Sequence, residues 1–195
     1  MNKIILGLTG PTGAGKSTVS LLASQMGVKV IDCDKVARKA VEPGTDGLKA
    51  LIRAFGDNIL MPDGCLDRRA LAKAAFCDSE HTDLLNKTLL PHIVKLIEGM
   101  MTGDKVLLDA PTLFESGLDC VCTSTLAVLS DRDLRLSRIT ERDGIDDEAA
   151  NLRINAGKPD DFYIEKADFC VYNNGSLAET ENRVKEILIN VFERN

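Results

Sequence analysis

The sequence predicts an α/β fold, a parallel sheet with helices on both faces, and three observations carry that prediction. Short apolar runs of strand length alternate with segments whose apolar residues recur at helical spacing. A glycine-rich stretch, Gly10-Pro11-Thr12-Gly13-Ala14-Gly15-Lys16-Ser17, lies between the first run and the first helix and matches the pattern G-x-x-x-x-G-K-[ST] in full. Two of the apolar runs end in aspartates, at Asp32 to Asp34 and at Asp109, where open parallel sheets present their carboxyl ends to ligands.

The first run, Lys3 to Leu8, reads as a buried strand, and Ser17 to Met26 as the helix after it. Strand, loop and helix in this order are the context that a phosphate-binding loop requires, so the fold class sharpens to the P-loop NTPase type. Glycines let the loop backbone turn successive N–H groups inward around a polyphosphate, and the helix N-terminus adds partial positive charge. The candidate nucleotide contacts are therefore Thr12, Gly13, Ala14, Gly15, Lys16, Ser17 and Thr18. Lys16 reaches the β/γ-phosphates and the Ser17 hydroxyl is placed to ligate Mg²⁺.

Val28 to Ile31 is the second strand, and Asp32 and Asp34 at its carboxyl end either face the crevice or cap the next helix. After a break at Glu42 to Thr45, Leu48, Leu51, Ile52 and Phe55 mark another helix. Met61-Pro62-Asp63-Gly64 breaks the pattern again, and Asp67 to about Met101 is nearly all helix-forming, a helical insertion suited to an acceptor. Arg68 and Arg69 at its start are either a solvated pair or ligand contacts.

Lys105 to Asp109 reads as a central strand with a carboxylate at its tip, where Asp109 would hold Mg²⁺ through water. Glu115 follows, projecting into the same crevice. Ser124 to Leu129 is a further strand, and Ser130 to Asp133 opens the next helix with a capping box. On that helix Arg135, Arg138 and Arg142 lie three and four residues apart and share a face, either a solvated basic face or a cationic lid over a transferring phosphoryl group. Asp168 to Tyr172 is the last strand. An Asn173-Asn174-Gly175 turn and a Ser176/Glu179 capping box lead to a final helix with Leu177, Val184, Ile187, Leu188 and Val191 inward.

Composition bounds the partners. At 195 residues, with 44% hydrophobic and 28% charged residues, the chain is expected to form one unit, and no apolar run approaches a membrane span. A net charge of −6 argues against nucleic acid and for a small-molecule partner. Six scattered cysteines without paired spacing argue against a zinc site, and the N-terminal Met1-Asn2-Lys3 leads straight into the strand rather than into a signal peptide, so a cytoplasmic protein is expected.

Taken together, Leu8-Thr9-Gly10 with Gly15-Lys16-Ser17-Thr18, Val30 to Asp34 with Ala37-Arg38, Val41-Glu42-Pro43-Gly44, Asp67 to Leu71, Asp109 to Glu115, Arg138 to Arg142 and Asn173-Asn174-Gly175 resemble the dephospho-coenzyme A kinase family. The resemblance covers essentially the whole chain. It implies ATP as phosphoryl donor, Mg²⁺, and the ribose 3′-hydroxyl of dephospho-CoA as acceptor, the last step of coenzyme A synthesis. It further implies Asp34 as catalytic base, Arg68, Pro111, Leu113 and Glu115 along the acceptor site, Arg138 and Arg142 in a mobile lid, and Asn173 at the adenine. The catalytic set is then Asp34, Lys16 and Arg142. Three positions depart from the family pattern: Leu90 precedes Pro91 where a histidine is usual, Gly157 replaces a glutamine, and Tyr172 replaces an acidic residue. The expected layout is a single unit, 1–195, with a nucleotide-binding core at 1–60, 105–135 and 165–195, a helical acceptor-binding insertion at 61–104 and a helical lid at 136–164. The alternatives are another P-loop small-molecule or nucleoside kinase, and a GTP-driven switch, against which Leu89 stands where Asn86-Lys87-Thr88 would need a guanine-reading aspartate.

Overall fold

A computed structural model describes residues 3–193, so residues 1, 2, 194 and 195, at the ends of the expected core segments 1–60 and 165–195, lie outside the described residues. The sheet has the order β2-β3-β1-β4-β5, built from β1 (Ile4–Thr9), β2 (Lys29–Asp32), β3 (Lys105–Asp109), β4 (Ser124–Leu129) and β5 (Phe169–Tyr172). Every neighbouring pair is parallel. β1 is central, the chain runs first to one side of it and then to the other, and the crevice opens where that direction switches. Asp32 pairs with Asp109 in register, which sets the two strand-end aspartates side by side.

Alternation along the strands explains the two cores. Val106 and Leu108 join Ile31 and Leu113 on one face, covered by α2 (Cys33–Ala40), α3 (Asp46–Phe55), α4 (Arg68–Ala75) and α5 (Ser79–Met100). Leu107 points the other way and joins Leu6, Leu8, Leu126 and Val128 beneath α1 (Lys16–Gln25) and α10 (Leu177–Glu193). Both faces are buried, which is why the strands read as unbroken apolar runs.

The helical stretch expected from Asp67 to Met101 is two helices. Asp67 caps α4 through Arg69 N and Ala70 N, and Asp78 caps α5 through His81 N. α5 buries Leu85, Ile93 and Ile97 in the same cluster as Ile31, Val106 and Leu108, so this segment shares the core of the sheet. After the short α6 (Leu113–Ser116) and β4 come α7 (Arg132–Asp143), α8 (Asp147–Asn155) and α9 (Asp160–Lys166). α7 and α8 enclose a small cluster of their own, Ile139, Ala150 and Ile154 with Leu136 and Ile145.

The capping box expected at Ser130 to Asp133 does not form. Asp131 is the N-cap of α7 without a side-chain cap bond, because its carboxylate accepts from Asn174 Nδ2 at 2.8 Å, while Ser130 Oγ donates to Asn173 O at 3.0 Å. The box at Ser176 and Glu179 does form, with Ser176 N donating to Glu179 Oε2 at 2.8 Å and Glu179 N donating to Ser176 Oγ at 3.3 Å. No helix among the described residues is long and apolar enough to cross a membrane.

Candidate active site

A cavity of about 610 Å³ lies beyond the carboxyl ends of the strands, and its wall combines the glycine-rich loop, a set of carboxylates and a set of cations. The loop follows β1 and ends as α1 begins at Lys16. Gly15 takes φ 101, and a Cβ there would stand 2.2 Å from Asn173 Nδ2, so both the backbone turn and the close approach demand glycine. Gly13, at φ 79, lets the backbone of Arg135 approach, with a Cβ position 2.9 Å from Arg135 O.

The loop is clamped from behind. Asn173 Nδ2 donates to Ala14 O at 2.9 Å, and its Oδ1 accepts from the Thr180 hydroxyl at 3.0 Å. Arg138 donates to Ser130 Oγ at 3.0 Å, to Asn173 O at 2.9 Å and to Gly13 O at 3.4 Å. Lys16 Nζ donates to Gly10 O at 2.7 Å and Pro11 O at 3.3 Å. Burial pulls the Lys16 ammonium below the ordinary lysine value, opposed by the negative charges of Asp109 and Asp34, with Arg142 adding to the depression.

Asp32, Asp34, Asp109 and Glu115 also line the cavity. Asp32 does both things its position allows: it lines the cavity and caps α2, accepting from Lys35 N at 3.0 Å. Burial is the largest influence on its carboxyl and pushes upward, but the backbone and ammonium of Lys35 together hold it below the usual value. Asp34, in the first turn of α2, shifts the other way: burial raises it, the neighbouring Asp32 and Asp109 raise it further, and Arg38 and Lys16 only partly compensate. Asp32 and Asp34, both on the cavity lining, thus shift in opposite directions. Asp109 accepts from Ser20 Oγ at 2.7 Å, which anchors one of its oxygens. Glu115 carries a buried Oε2 without a hydrogen-bond partner, while its carbonyl accepts from Asn86 Nδ2 at 2.7 Å.

The third set is cationic: Arg138 and Arg142 from α7, Arg153 from α8, and Lys158 before α9. Arg135, expected on the same face, turns aside; it is buried and pairs with Asp160 at 3.4 Å, lining a separate depression.

The cavity gathers most of the residues named from the sequence: Thr12, Gly13, Gly15, Lys16, Ser17, Asp34, Asp109, Pro111, Glu115, Arg138 and Arg142. Ala14 is buried and offers its carbonyl to Asn173, and Thr18, half-buried in α1, is not part of the wall. Three named side chains are elsewhere. Leu113 is fully buried in the core under β3, so its side chain is packing. Arg68 is exposed at the start of α4 and is not part of the wall. Asn173 is buried behind the loop with both ends of its amide engaged inside the protein. Of the departures from the family pattern, Gly157 lines the cavity, Leu90 packs against the core, and Tyr172 is exposed at the end of β5.

Sequence reasoning missed Arg153, Lys158, Tyr163 and Ser20. Arg153 lies outside the arginine spacing of α7, and only the packing of α8 on α7 brings it over the cavity. Tyr163 reads as an apolar helix residue; it is nearly fully buried, and burial, then Glu115 and Asp160, push its phenol up to about 12. Ser20 shows no local signal, since its partner is 89 residues away.

The Ser17 hydroxyl and the Asp109 carboxylate offer oxygen ligands only, a hard donor set that fits Mg²⁺. A lysine-bearing loop, a base-like carboxylate and a row of arginines around one crevice can position and stabilise a phosphoryl group in flight.

Comparison with known proteins agrees. A family model described as dephospho-CoA kinase matches residues 4–179. A dephospho-CoA kinase of Corynebacterium glutamicum is 38% identical over 192 residues, covering 95% of this chain and 98% of the relative. That of Listeria monocytogenes is 39% identical over 185 residues, covering 92% of each. Among solved structures, a Thermus thermophilus protein aligns over 98% of this chain and 99% of its own, at TM-score 0.78 and 32% identity. Dephospho-CoA kinase from Campylobacter jejuni aligns over 97% of each chain at TM-score 0.53 and 25% identity. A shikimate kinase from Acinetobacter baumannii, 16% identical at TM-score 0.56 over 99% of this chain and 95% of its own, shares the fold.

Proposed function

This chain belongs to the dephospho-CoA kinase family, and from that premise we propose how its cavity carries out the ATP-dependent phosphorylation of dephospho-CoA to CoA. The glycine-rich loop with Lys16 holds the ATP phosphates. Asp34 orients the ribose 3′-hydroxyl and takes its proton as the oxygen bonds to the γ-phosphorus, while the bond to the β-phosphate oxygen breaks and ADP leaves. Arg142 and Arg138 face charge that spreads over the transferring group. Ser17 and Asp109 would hold Mg²⁺, which when bound neutralises phosphate charge.

One observation carries this reading: Asp34 has the raised carboxyl of a base and shares a cavity with a complete phosphate loop. A phosphate acceptor would have no hydroxyl proton to give such a base, so the pairing favours an alcohol. Pro111 and Glu115 lie along the acceptor side, and the unpartnered Glu115 Oε2 suits a hydroxyl or amine donor of the substrate. The insertion, 61–104, is read as the acceptor wall and 136–164 as the lid of a single unit. A soluble cytoplasmic setting fits this chemistry.

The test is direct. The protein is incubated with MgATP and, separately, dephospho-CoA, adenosine or a nucleoside monophosphate, and phosphorylated product is measured. Selective turnover of dephospho-CoA is expected; preferential turnover of another acceptor would replace the reading.

A further inference from the structure

The cations around the cavity are not equally free. Lys16 donates to Gly10 O and Pro11 O, and Arg138 to Ser130, Gly13 and Asn173, partners in the loop and the strand ends. Arg142 and Arg153 differ: their only hydrogen bonds among the described residues run to one carboxylate, that of Asp143. Arg142 donates from Nε to Oδ1 at 2.7 Å and from one terminal nitrogen to Oδ2 at 2.9 Å, and Arg153 donates to the same Oδ2. The Asp143 side chain is 19% exposed, whereas those of Arg142 and Arg153 are 61% and 51% exposed. A guanidinium has five N–H donors in a rigid fork, so each arginine keeps donors free above a sheltered carboxylate.

Placement makes this more than a surface pair. Asp143 is the last residue of α7, Gly144 follows in the left-handed region at φ 62, and Arg153 comes from α8 on the far side of the turn. The carboxylate therefore joins the two lid helices at their corner and brings their arginines together. Without it, two guanidiniums over one cavity would repel and splay.

We propose that Asp143 is a positioning residue that couples Arg142 and Arg153 into one phosphate-facing unit, and that Arg153 is a further phosphate contact of the kinase. The inference rests on the function proposed above for the substrate, but its binding arm stands apart from it. ATP brings the triphosphate that such a unit fits, and bidentate donors suit its oxygens.

The experiment uses the intact chain with Asp143→Asn, Arg153→Gln, Arg142→Ala, the pair Arg142→Ala/Asp143→Asn, and Asp143→Glu. MgATP and adenosine binding are measured by calorimetry, and turnover with dephospho-CoA in the steady state. Asp143→Asn and Arg153→Gln should each weaken MgATP binding or lower kcat by about tenfold, within the coupling range of one ion-pair network. Adenosine affinity should not move, and Asp143→Glu should recover most of the loss. In the Arg142→Ala background, Asp143→Asn should add less than about twofold. MgATP affinity and turnover both unchanged or improved in Asp143→Asn would overturn the proposal, as would losses that multiply fully with Arg142→Ala or fall equally on adenosine. If the wild-type chain binds MgATP but does not phosphorylate dephospho-CoA, the substrate reading fails while the calorimetric series still decides the role of Asp143.

Discussion

The two helical additions to the sheet, α4–α5 and α7–α8, are built in opposite ways. α5 feeds Leu85, Ile93 and Ile97 into the cluster that also holds Ile31, Val106 and Leu108, so it cannot move without opening the main core. α7 and α8 bury Ile139, Ala150 and Ile154 chiefly against each other, leave Leu152 66% exposed, and reach the body through the polar contacts of Arg138 with Gly13, Ser130 and Asn173. Displacing α8 uncovers little apolar area, whereas displacing α5 uncovers much. α4–α5 lends no residue to the cavity lining and packs on the sheet whose strand ends carry Asp32 and Asp109, whereas α7 and α8 place Arg138, Arg142 and Arg153 on the lining itself. The difference teaches that one helical addition is part of the main core while the other carries its own small core and the exposed arginines.

The largest expected effect comes from removing the lysine of the glycine-rich loop. Lys16→Ala should nearly abolish transfer, since no other ammonium is held in the loop, and steady-state turnover with folding checked by circular dichroism measures it. Normal turnover would erase the loop from the account.

Next comes a matched pair of core truncations, both at fully buried isoleucines. Ile97→Ala in α5 should cost about 2–5 kcal/mol of global stability in denaturant unfolding. Ile139→Ala in α7 should lower the global midpoint less and instead speed hydrogen exchange across α7 and α8. Equal global losses would break the contrast between the two helical additions.

Arg142→Ala follows, with kcat expected to fall about 10- to 10³-fold while ATP affinity changes less, as for a group that meets charge developing in the transition state. A rise in KM at constant kcat would make it a ground-state clamp. Smallest is the exchange response to ligands: ATP alone should protect α7 and α8, and dephospho-CoA should protect the 61–104 segment. Equal protection of both by ATP would erase the division of labour.

Much of this was legible in the chain. The strands announce themselves as doubly buried apolar runs, and the loop pattern encodes its own backbone requirements at Gly10 and Gly15. Asp32 and Asp34 could be placed at a strand end, but their opposite shifts depend on the local cap bond from Lys35 N to Asp32 and on the burial of Asp34 beside Asp32 and Asp109, which only the folded chain sets. Arg68, Leu113 and Asn173 were drawn toward the cavity by the family pattern, yet a side chain's neighbours are set by packing: Leu113 turns into the core and Asn173 spends its amide on Ala14. Arg153 and Ser20 had no local signal, because each acts through a partner on another element. Cys33 could have suggested a reactive thiol between two aspartates, but burial, with Cys122 and Asp109 adding to it, pushes its thiol up to about 12 and keeps it inert.

The central claim is that Asp34 is the base, and Asp34→Asn tests it most directly. The raised carboxyl binds its proton more tightly in the folded chain than in the unfolded one, so wild-type stability falls as pH rises from the ordinary aspartate value through the raised one. Above that window the ionised carboxylate is a burden on the fold, and the asparagine variant should melt at the same temperature or slightly higher. Its kcat should nonetheless fall about 10²- to 10⁴-fold with MgATP affinity near wild type. The wild-type kcat should decline toward acid at a higher pH than an ordinary aspartate would dictate, and that limb should vanish in the variant. Measured as kcat against pH for both proteins, a large loss of rate together with loss of the acid limb is the predicted result; a variant that turns over normally with the same pH profile would contradict the account.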